Sequence, residues 1–273
     1  MSDILHDIHR MPPVDTRLVA GRWHADRVAL GGRLVEARVF LQSLKGLGSG
    51  PRVKFLVIGR ARSGTTLLRR LLNAQERIAC TGELLAQSMW APAAFLDRVA
   101  RKSPHEVWGA KLLSYQMVQV HRLRDPIAFL RELEGRGFRF IHLVRGTLPQ
   151  TLSLAVAQAS RRFHSDRGSG DTPTSVRLDP VDFLARIRWS DALLRYEERI
   201  FRELPHRRLS YENDLLPPAV QPATIAGLCE WFTVPSRLVE APLTKLLPEK
   251  PADLVQNWDA VADALRKGGF GHL

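Results

Sequence analysis

The sequence predicts an α/β fold in which a parallel β-sheet is flanked by helices and preceded by an N-terminal helical appendage. From Val53 onward, short apolar segments alternate with longer helical ones, as in βαβ units. The first unit, FLVIGRARSGTTLLRRLL (residues 55–72), contains a buried strand, a glycine-bounded loop and a helix start. Hydrophobic residues form 45% of the 273-residue chain, which allows a substantial core and excludes a globally disordered protein.

Residues 1–50 predict the appendage. Apolar residues recur at helical spacing over residues 23–44, and the turn GLGSGP (residues 46–51) separates them from the main fold. This apolar stripe needs a covering surface, either on the main domain or across a homo-oligomer. We therefore divide the chain into an appendage, residues 1–50, and an α/β domain, residues 51–273.

The elements of the α/β domain follow from local pattern. Short apolar runs predict strands over residues 54–58, 78–80, 107–113, 139–144 and 208–211. Longer runs with helical periodicity predict helices over residues 65–73, 91–101, 125–135, 148–163, 180–204, 222–232 and 257–267. The polar, glycine- and serine-rich segment 164–175 predicts an exposed loop, which is either plain surface or a lid.

Amino-acid composition limits the cellular compartment and the classes of binding partner that are expected for this protein. Lys and Arg exceed Asp and Glu by 12, which favours nucleic acid, anionic membranes or phosphate- and sulfate-bearing molecules, although an arginine-rich proteome gives the same balance. The two cysteines, Cys80 and Cys229, make no disulfide framework, so a reducing cytoplasm fits best. The nine histidines form no HExxH motif, and no metal is predicted. We expect no transmembrane segment and no secretory signal.

The segment from Gly59 to Thr66, hereafter the glycine loop, has the G-x-x-x-x-G spacing of a phosphate-binding loop, but Thr65 replaces its lysine. Backbone N–H groups of residues 63–66 are expected to face one concavity at a helix N-terminus, where the dipole favours an anion. Thr65 and Thr66 add hydroxyl donors, and Arg62 adds positive charge. Without the lysine that clamps a γ-phosphate, the loop favours an anion that needs neither that clamp nor Mg²⁺. The alternative is an ordinary βα turn with a capping threonine.

The stretch RARSGTTLLRRLL resembles the 5′-phosphosulfate loop of P-loop sulfotransferases that use 3′-phosphoadenosine 5′-phosphosulfate (PAPS). That loop has a basic residue followed by SGT or TGT, and Arg62 matches the arginine of carbohydrate enzymes such as the nodulation-factor type. The resemblance implies a P-loop-type sheet, PAPS as cosubstrate, and 5′-phosphosulfate contacts from the following residues: Arg62, Ser63, Gly64, Thr65 and Thr66.

A second motif supports the resemblance. Arg145 ends the predicted strand FRFIHLV, and Ser153 follows eight positions later on a helix, which is the spacing of the family's 3′-phosphate motif. An arginine at the end of a strand and a hydroxyl group in the first turn of the next helix can bind the same phosphate. The family usually has Arg-Asp-Pro here, whereas this chain continues with Gly146 and Thr147.

Two further stretches carry weaker resemblances. RRLSYENDL is similar to the family's strand ending in Tyr-Glu-x-Leu, which implies that Tyr211 lies near the adenine; a core tyrosine is the alternative. Residues 242–265 resemble the late loop that folds over the nucleotide, which implies contacts from Thr244 and Lys245. The resemblance covers residues 53–265 and leaves out the appendage.

Sulfuryl transfer needs in-line positioning, charge stabilisation and a base for the acceptor hydroxyl. The predicted base is Glu83 in IACTGELL, because it follows a strand expected beside the glycine-loop strand and the family has a glutamate at the matching place. The TGE sequence also suits a helix N-cap. The remaining candidates for the base are His105, His121 and His142.

The predicted cations have separate roles. Arg62 should offset charge on the leaving phosphate, and Lys111 should contact nucleotide or acceptor. Arg161 and Arg162 either meet an anionic acceptor or cap a solvated helix end. The predicted acceptor is a hydroxyl-bearing molecule, most consistent with a carbohydrate or glycolipid.

Two other functions stay open from sequence. A degenerate P-loop kinase or NTPase would need a loop lysine and a metal-holding acid at a strand end, but FIHLVRG ends at an arginine. The second alternative, a nucleic-acid-binding protein, is supported only by the net charge. The sequence contains no basic-aromatic recognition motif, so we predict no nucleic-acid partner.

Overall fold

The computed structural model describes residues 50–86, 88–159, 175–237 and 250–273, together with the single residues Ile8 and Leu41. Within these ranges, five parallel strands form one sheet in the order β2-β3-β1-β4-β5. Their bounds are β1 Val53–Gly59, β2 Ile78–Glu83, β3 Val107–Leu113, β4 Phe138–Val144 and β5 Arg207–Ser210. The predicted α/β fold with a helix-flanked parallel sheet is confirmed.

The described helices are α1 Thr65–Asn73, α2 Pro92–Ala100, α3 Pro126–Gly135, α4 Thr147–Ala159, α5 Pro180–Phe201, α6 Gln221–Phe232, α7 Pro251–Leu254 and α8 Trp258–Lys267. Proline occupies the first turn of several of them, where its missing N–H has no helical partner to lose. Asp125 and Asp179 cap α3 and α5 by accepting backbone N–H groups. Two π-helical turns, Gln116–Val120 and Tyr211–Leu215, follow β3 and β5.

Alternating side chains of the strands bury both faces of the sheet. On β1, Phe55 and Val57 pack into a cluster with α1 and α6, whereas Leu56 and Ile58 pack into a larger cluster with α2, α3 and α5. Burial on both faces explains why the strands read as nearly continuous apolar runs. A third cluster joins α4, α5, α7 and α8. None of the described helices is long and apolar enough to cross a membrane.

Most of the predicted appendage lies outside the described residues. Ile8 is only 2% exposed and belongs to the larger core cluster, whereas Leu41 is 59% exposed. At least one residue of the N-terminal segment therefore packs against the α/β domain.

Sequence and structure differ in where β2 lies. The strand before Glu83 was expected beside the glycine-loop strand, but β3 lies between β2 and β1. That expectation was wrong, because local pattern does not encode which strands become neighbours. The strand is also longer than predicted and ends at Glu83 itself.

Candidate active site

The candidate site lies at the carboxyl edge of the sheet. Because the described strands are parallel, the segments that follow β1, β3, β4 and β5 meet at this edge, where open α/β sheets bind ligands. The segments after β1, β4 and β5 bring the glycine loop, Arg145 and Tyr211 into contact.

Close packing explains both glycines of the glycine loop. A Cβ on Gly59 would lie 2.4 Å from the Leu143 carbonyl oxygen on β4, so a side chain is excluded. Gly64 has φ 97°, and a Cβ there would lie 2.3 Å from the Tyr211 ring. Arg62 also has a left-handed backbone, φ 65°, which is unusual for a residue other than glycine and is often found at functional sites.

Ser63 shapes the loop from inside. Its N–H and its hydroxyl donate to the Arg60 carbonyl oxygen at 3.2 and 2.7 Å, and the residue is fully buried. The expectation that the Ser63 N–H faces the concavity was therefore wrong. Gly64 is the N-cap residue of helix α1, and no side chain caps the helix. The alternative interpretation of this segment as a turn with a capping threonine was therefore wrong. The Leu68 N–H donates to Gly64 O at 3.0 Å, so the N–H groups of residues 64–67 have no acceptor within the helix.

Arg62, Arg145 and Ser153 meet at the glycine loop. Arg62 Nε donates to Ser153 Oγ at 3.2 Å, and Arg145 Nη1 donates to the Arg62 carbonyl oxygen at 2.8 Å. These partners are 91 and 83 positions apart in sequence. Ser153 lies in the second turn of α4, one turn later than expected. The two motifs predicted from sequence thus form one cluster.

Two guanidinium groups in this cluster lie in a poorly solvated place. Burial lowers the pKa of Arg62 and of Arg145, and the neighbouring charge of Arg145 lowers the Arg62 pKa further. Arg145 Nε is buried and has no hydrogen-bond partner among the described residues. Such an arrangement favours an anion, which would supply both opposite charge and hydrogen-bond acceptors.

Tyr211 lies between the glycine loop and Arg145. The Arg145 guanidinium carbon is 4.3 Å from the Tyr211 ring centroid, within range of a cation–π interaction. Tyr211 is half-buried at the edge of the α1–α6 cluster and begins the π-helical turn after β5, so the strand predicted to include it ends one residue earlier. It therefore contributes both to the core and to the site.

Glu83 stands in a second polar cluster beside the loop. Lys111 Nζ, on β3, is 3.0 Å from Glu83 Oε1 and 3.4 Å from Thr66 Oγ1. Gln116 Nε2 donates to Glu83 Oε2 at 3.1 Å, and the Tyr115 hydroxyl lies 3.4 Å from the same oxygen. Lys111 thus bridges the carboxylate and the glycine loop. Glu83 ends a strand, so its interpretation as a helix N-cap was wrong.

Tyr115 and Gln116 were missed by sequence reasoning. Gln116 is fully buried, and its Oε1 accepts the Leu113 N–H at 3.1 Å, which orients the amide toward Glu83. Burial and the nearby Glu83 carboxylate raise the pKa of Tyr115, so its hydroxyl stays protonated and able to donate. Both lie at the start of a π-helical turn, a feature often found at functional sites but without a clear sequence signature.

Arg60 was also missed, although it lies in the glycine loop. It is 1% exposed, and its guanidinium donates to Thr147 Oγ1 at 3.2 Å, to Ser190 Oγ at 2.7 Å and to the Arg145 carbonyl oxygen. Burial lowers its pKa. Arg60 therefore holds the ends of β1 and β4 against α5.

The three candidate histidines occupy different places. His105 precedes β3 and lies at the amino edge of the sheet, opposite the site. His142 is fully buried on β4, where its Nε2 lies 3.0 Å from Glu197 Oε2. His121 follows β3 at the carboxyl edge, with Nε2 3.1 Å from the Leu85 carbonyl oxygen, and burial lowers its pKa. Of the three, His121 is the remaining alternative to Glu83.

Several predicted residues lie outside the described ranges: Thr244, Lys245, Arg161, Arg162 and the segment 164–174. Thr65 is buried at the start of α1, and Thr66 is half-buried. Across the described ranges, no three His, Cys, Asp or Glu side chains are grouped so as to hold a metal ion.

No protein-family model matches this chain, and no curated protein is significantly similar to it. The functional interpretation therefore depends on the geometry of the site and on the sequences of its motifs. The arrangement offers a helix N-terminus, two arginines and a hydroxyl for an anion. It also places a partly exposed carboxylate beside them, held by Lys111 and Gln116.

Proposed function

We propose that this protein is a PAPS-dependent sulfotransferase that moves a sulfuryl group from PAPS to an acceptor hydroxyl. The observation that carries the proposal is the contact of Arg62 with Ser153 and of Arg145 with the Arg62 carbonyl. The two sequence motifs that resemble 5′-phosphosulfate and 3′-phosphate sites are thereby neighbours, as a single nucleotide requires.

In this proposal, the N-terminus of α1 and Arg62 hold the 5′-phosphosulfate, with Thr65 and Thr66 adding donors. Arg145 and Ser153 hold the 3′-phosphate, and the buried Arg145 Nε, which has no partner within the described ranges, supplies a donor. Tyr211 lies near the adenine. Thr244 and Lys245 remain predicted contacts.

The chemical step forms a bond between the acceptor oxygen and sulfur while the bond from sulfur to the 5′-phosphate oxygen breaks. Glu83 accepts the proton of the acceptor hydroxyl as general base. Arg62 and Lys111 offset the negative charge that develops on the leaving phosphate. Lys111 suits this role because its Nζ contacts both Glu83 and Thr66 of the glycine loop.

A kinase or NTPase is the main alternative, since Lys111 brings a lysine to the glycine loop from the neighbouring strand. The residues after the two strands that flank β1 argue against it. They are Ser114 after β3 and Arg145 after β4, so neither provides a carboxylate for Mg²⁺. A nucleic-acid-binding protein is supported by the net charge alone.

Ligand binding tests the proposal against both alternatives. We expect adenosine 3′,5′-bisphosphate, at a hundred times its Kd, to stabilise the protein by about 2.7 kcal/mol, and ATP with Mg²⁺ to stabilise it far less. A larger thermal shift with ATP–Mg²⁺ or with duplex DNA would overturn the proposal. Incubation with ³⁵S-labelled PAPS and candidate acceptors should then give labelled product. A cytoplasmic location and a homo-oligomer formed through residues 1–50 remain predictions.

A further inference from the structure

A cleft of about 320 Å³ lies at one edge of the sheet, between β5 and α6. This volume is at the lower end of the range for small-molecule sites. Within the described ranges, β5 is hydrogen-bonded to β4 alone, so its other side is an open edge. The lining contains none of the residues assigned above to the candidate active site, and the cleft is therefore a separate feature of the molecule.

Two adjacent arginines of β5 reach the cleft from opposite faces of the sheet. Successive side chains of a strand alternate between its faces. Leu209 packs into the α1–α6 cluster, so Arg207 lies on the same face, and its Nη2 is 3.8 Å from the position of a Cβ on Gly227 of α6. Arg208 lies on the other face, where its Nη2 is 3.7 Å from Glu198 Oε1 of α5. Both line the cleft because long side chains can fold around an edge strand.

These two guanidinium groups have donors to spare. The Arg207 side chain is exposed and forms no hydrogen bond or ion pair with the described residues. Arg208 is 54% exposed, and its 3.7 Å contact with Glu198 is longer than a hydrogen bond. Each guanidinium has five N–H donors in a planar fork that matches the oxygens of a phosphate or sulfate. The arginines therefore favour an oxyanion in the cleft.

A carboxylate also lines the cleft and limits the negative charge that the cleft can accept. Asp214 Oδ2 accepts the Ser210 N–H at 2.6 Å, and Thr224 Oγ1 donates to the Asp214 carbonyl oxygen at 2.9 Å. Asp214 Oδ1 has no hydrogen-bond partner in the part of the chain that the structure describes, so it can accept a hydroxyl group of a ligand. Its charge disfavours a polyanion such as nucleic acid. One oxyanion on a hydroxylated body suits both the arginines and the carboxylate.

We propose that this cleft binds a small hydroxylated molecule that carries one phosphate or sulfate group, such as a sugar phosphate or a sugar sulfate. Arg207 and Arg208 hold the oxyanion, and Asp214 accepts a hydroxyl of the body. The site is additional to the proposed nucleotide site and does not depend on sulfotransferase activity.

Isothermal titration calorimetry measures binding of two anionic probes, glucose 6-phosphate and glucose 6-sulfate, with glucose as the uncharged comparison. We expect saturable binding of at least one anionic probe, and the tighter of the two identifies the preferred oxyanion. Glucose should bind at least about tenfold more weakly, because it offers the arginines no charge.

Arg207→Ala removes a charged donor and should weaken binding of the anionic probe by about tenfold or more. The matched control is Arg188→Ala, which changes the net charge equally. Arg188 is also exposed and without a partner among the described residues. It lies on α5 ten residues before Glu198, about 15 Å along the helix, so its loss should leave probe binding within about threefold of wild type.

Gly227→Leu tests the space in the cleft without removing a charge. A Cβ at this position would meet only Arg207 within 4 Å, so the larger side chain extends into the cleft. Probe binding should again fall by about tenfold or more. Circular dichroism and thermal melting establish that both variants fold. Arg207→Ala should keep the wild-type melting temperature, because the removed side chain has no partner within the described ranges.

Arg145→Ala separates the cleft from the glycine loop and should bind the anionic probe like wild type. Loss of probe binding in Arg145→Ala but not in Arg207→Ala would assign the probe to the glycine loop and overturn the proposal. The proposal is also overturned if glucose binds as tightly as the anionic probes, if Arg207→Ala binds them like wild type, or if neither binds saturably. These measurements use no nucleotide, so failure of the proposed sulfotransferase function would leave their outcome unchanged.

Discussion

Replacing Arg145 with alanine distinguishes the two phosphate contacts of the proposed nucleotide site. Arg145 makes two contacts: Nη1 donates to the Arg62 carbonyl oxygen at 2.8 Å, and the guanidinium carbon lies 4.3 Å from the Tyr211 ring centroid. Its buried Nε has no partner among the described residues, and in the proposed site this group donates to the 3′-phosphate. The two contacts shape the glycine loop and act on any nucleotide that binds there.

These contacts determine the expected magnitudes. Loss of a charged hydrogen bond to the 3′-phosphate should cost about 1.5–3 kcal/mol of binding free energy for adenosine 3′,5′-bisphosphate. Loss of the bond to the Arg62 carbonyl should cost about 1 kcal/mol for every ligand that uses the loop. The affinity for adenosine 5′-phosphosulfate, which lacks the 3′-phosphate, should therefore fall about fivefold, and that for the bisphosphate a further tenfold or more.

Isothermal titration calorimetry with both ligands measures the difference. Arg139→Ala is a matched control on the same strand, because Arg139 also donates to a backbone carbonyl, that of Trp231, and lies 5.5 Å from the centroid of its indole. Arg139 is at the start of β4, away from the site, so its loss should leave both affinities unchanged. Equal losses for the two ligands in Arg145→Ala would refute the assignment of Arg145 to the 3′-phosphate.

Three further predictions concern the base, the N-terminal segment and acid stability. Glu83→Gln should lower turnover by about 10²–10⁴ and remove the acidic limb of the pH–rate profile, while calorimetry shows bisphosphate binding near wild type. Deletion of residues 1–44 removes the buried Ile8 from the core; it should lower the melting temperature or cause aggregation, seen by light scattering. Burial lowers the pKa of His121, so below the ordinary histidine pKa of about 6.5 the unfolded chain takes up a proton that the folded protein does not. Stability should therefore fall with pH below that value, and His121→Gln should reduce this fall in denaturant titrations.

Each of these predictions has an outcome that contradicts it. Turnover of Glu83→Gln within about threefold of wild type would move the search for the base to His121; Glu106→Gln, at the opposite edge of the sheet, is the control. A truncated protein with unchanged mass and melting temperature would show that residues 1–44 are dispensable. Parallel pH profiles for wild type and His121→Gln would show that this ring does not couple folding to pH.

The local sequence pattern was sufficient to predict the strands and helices, and also the half of the candidate site that contains the glycine loop, Arg145 and Ser153. Strand and helix positions follow from apolar periodicity, and the structure agrees to within a few residues in most cases, including α1 and β3 without any shift. The spacing of Gly59 and Gly64 predicted the loop; the left-handed backbone of Gly64 is a local reason for glycine, whereas the close contacts with Leu143 O and the Tyr211 ring that exclude side chains at the two positions are tertiary. The eight-residue spacing of Arg145 and Ser153 predicted their convergence, since a strand end and the next helix are joined by only a few residues.

The second half of the site depends on tertiary structure. The position of β3 between β1 and β2 places Lys111 within reach of both Thr66 and Glu83. The π-helical turn after β3 orients Gln116 toward the same carboxylate. Neither arrangement can be recognised from the local sequence. Strand order results from the packing of helices on both faces of the sheet. The connection between β1 and β2 is long enough for β2 to lie either next to β1 or one strand further away. Periodicity specifies which face of a strand is buried, but only long-range packing specifies which strand lies beside it.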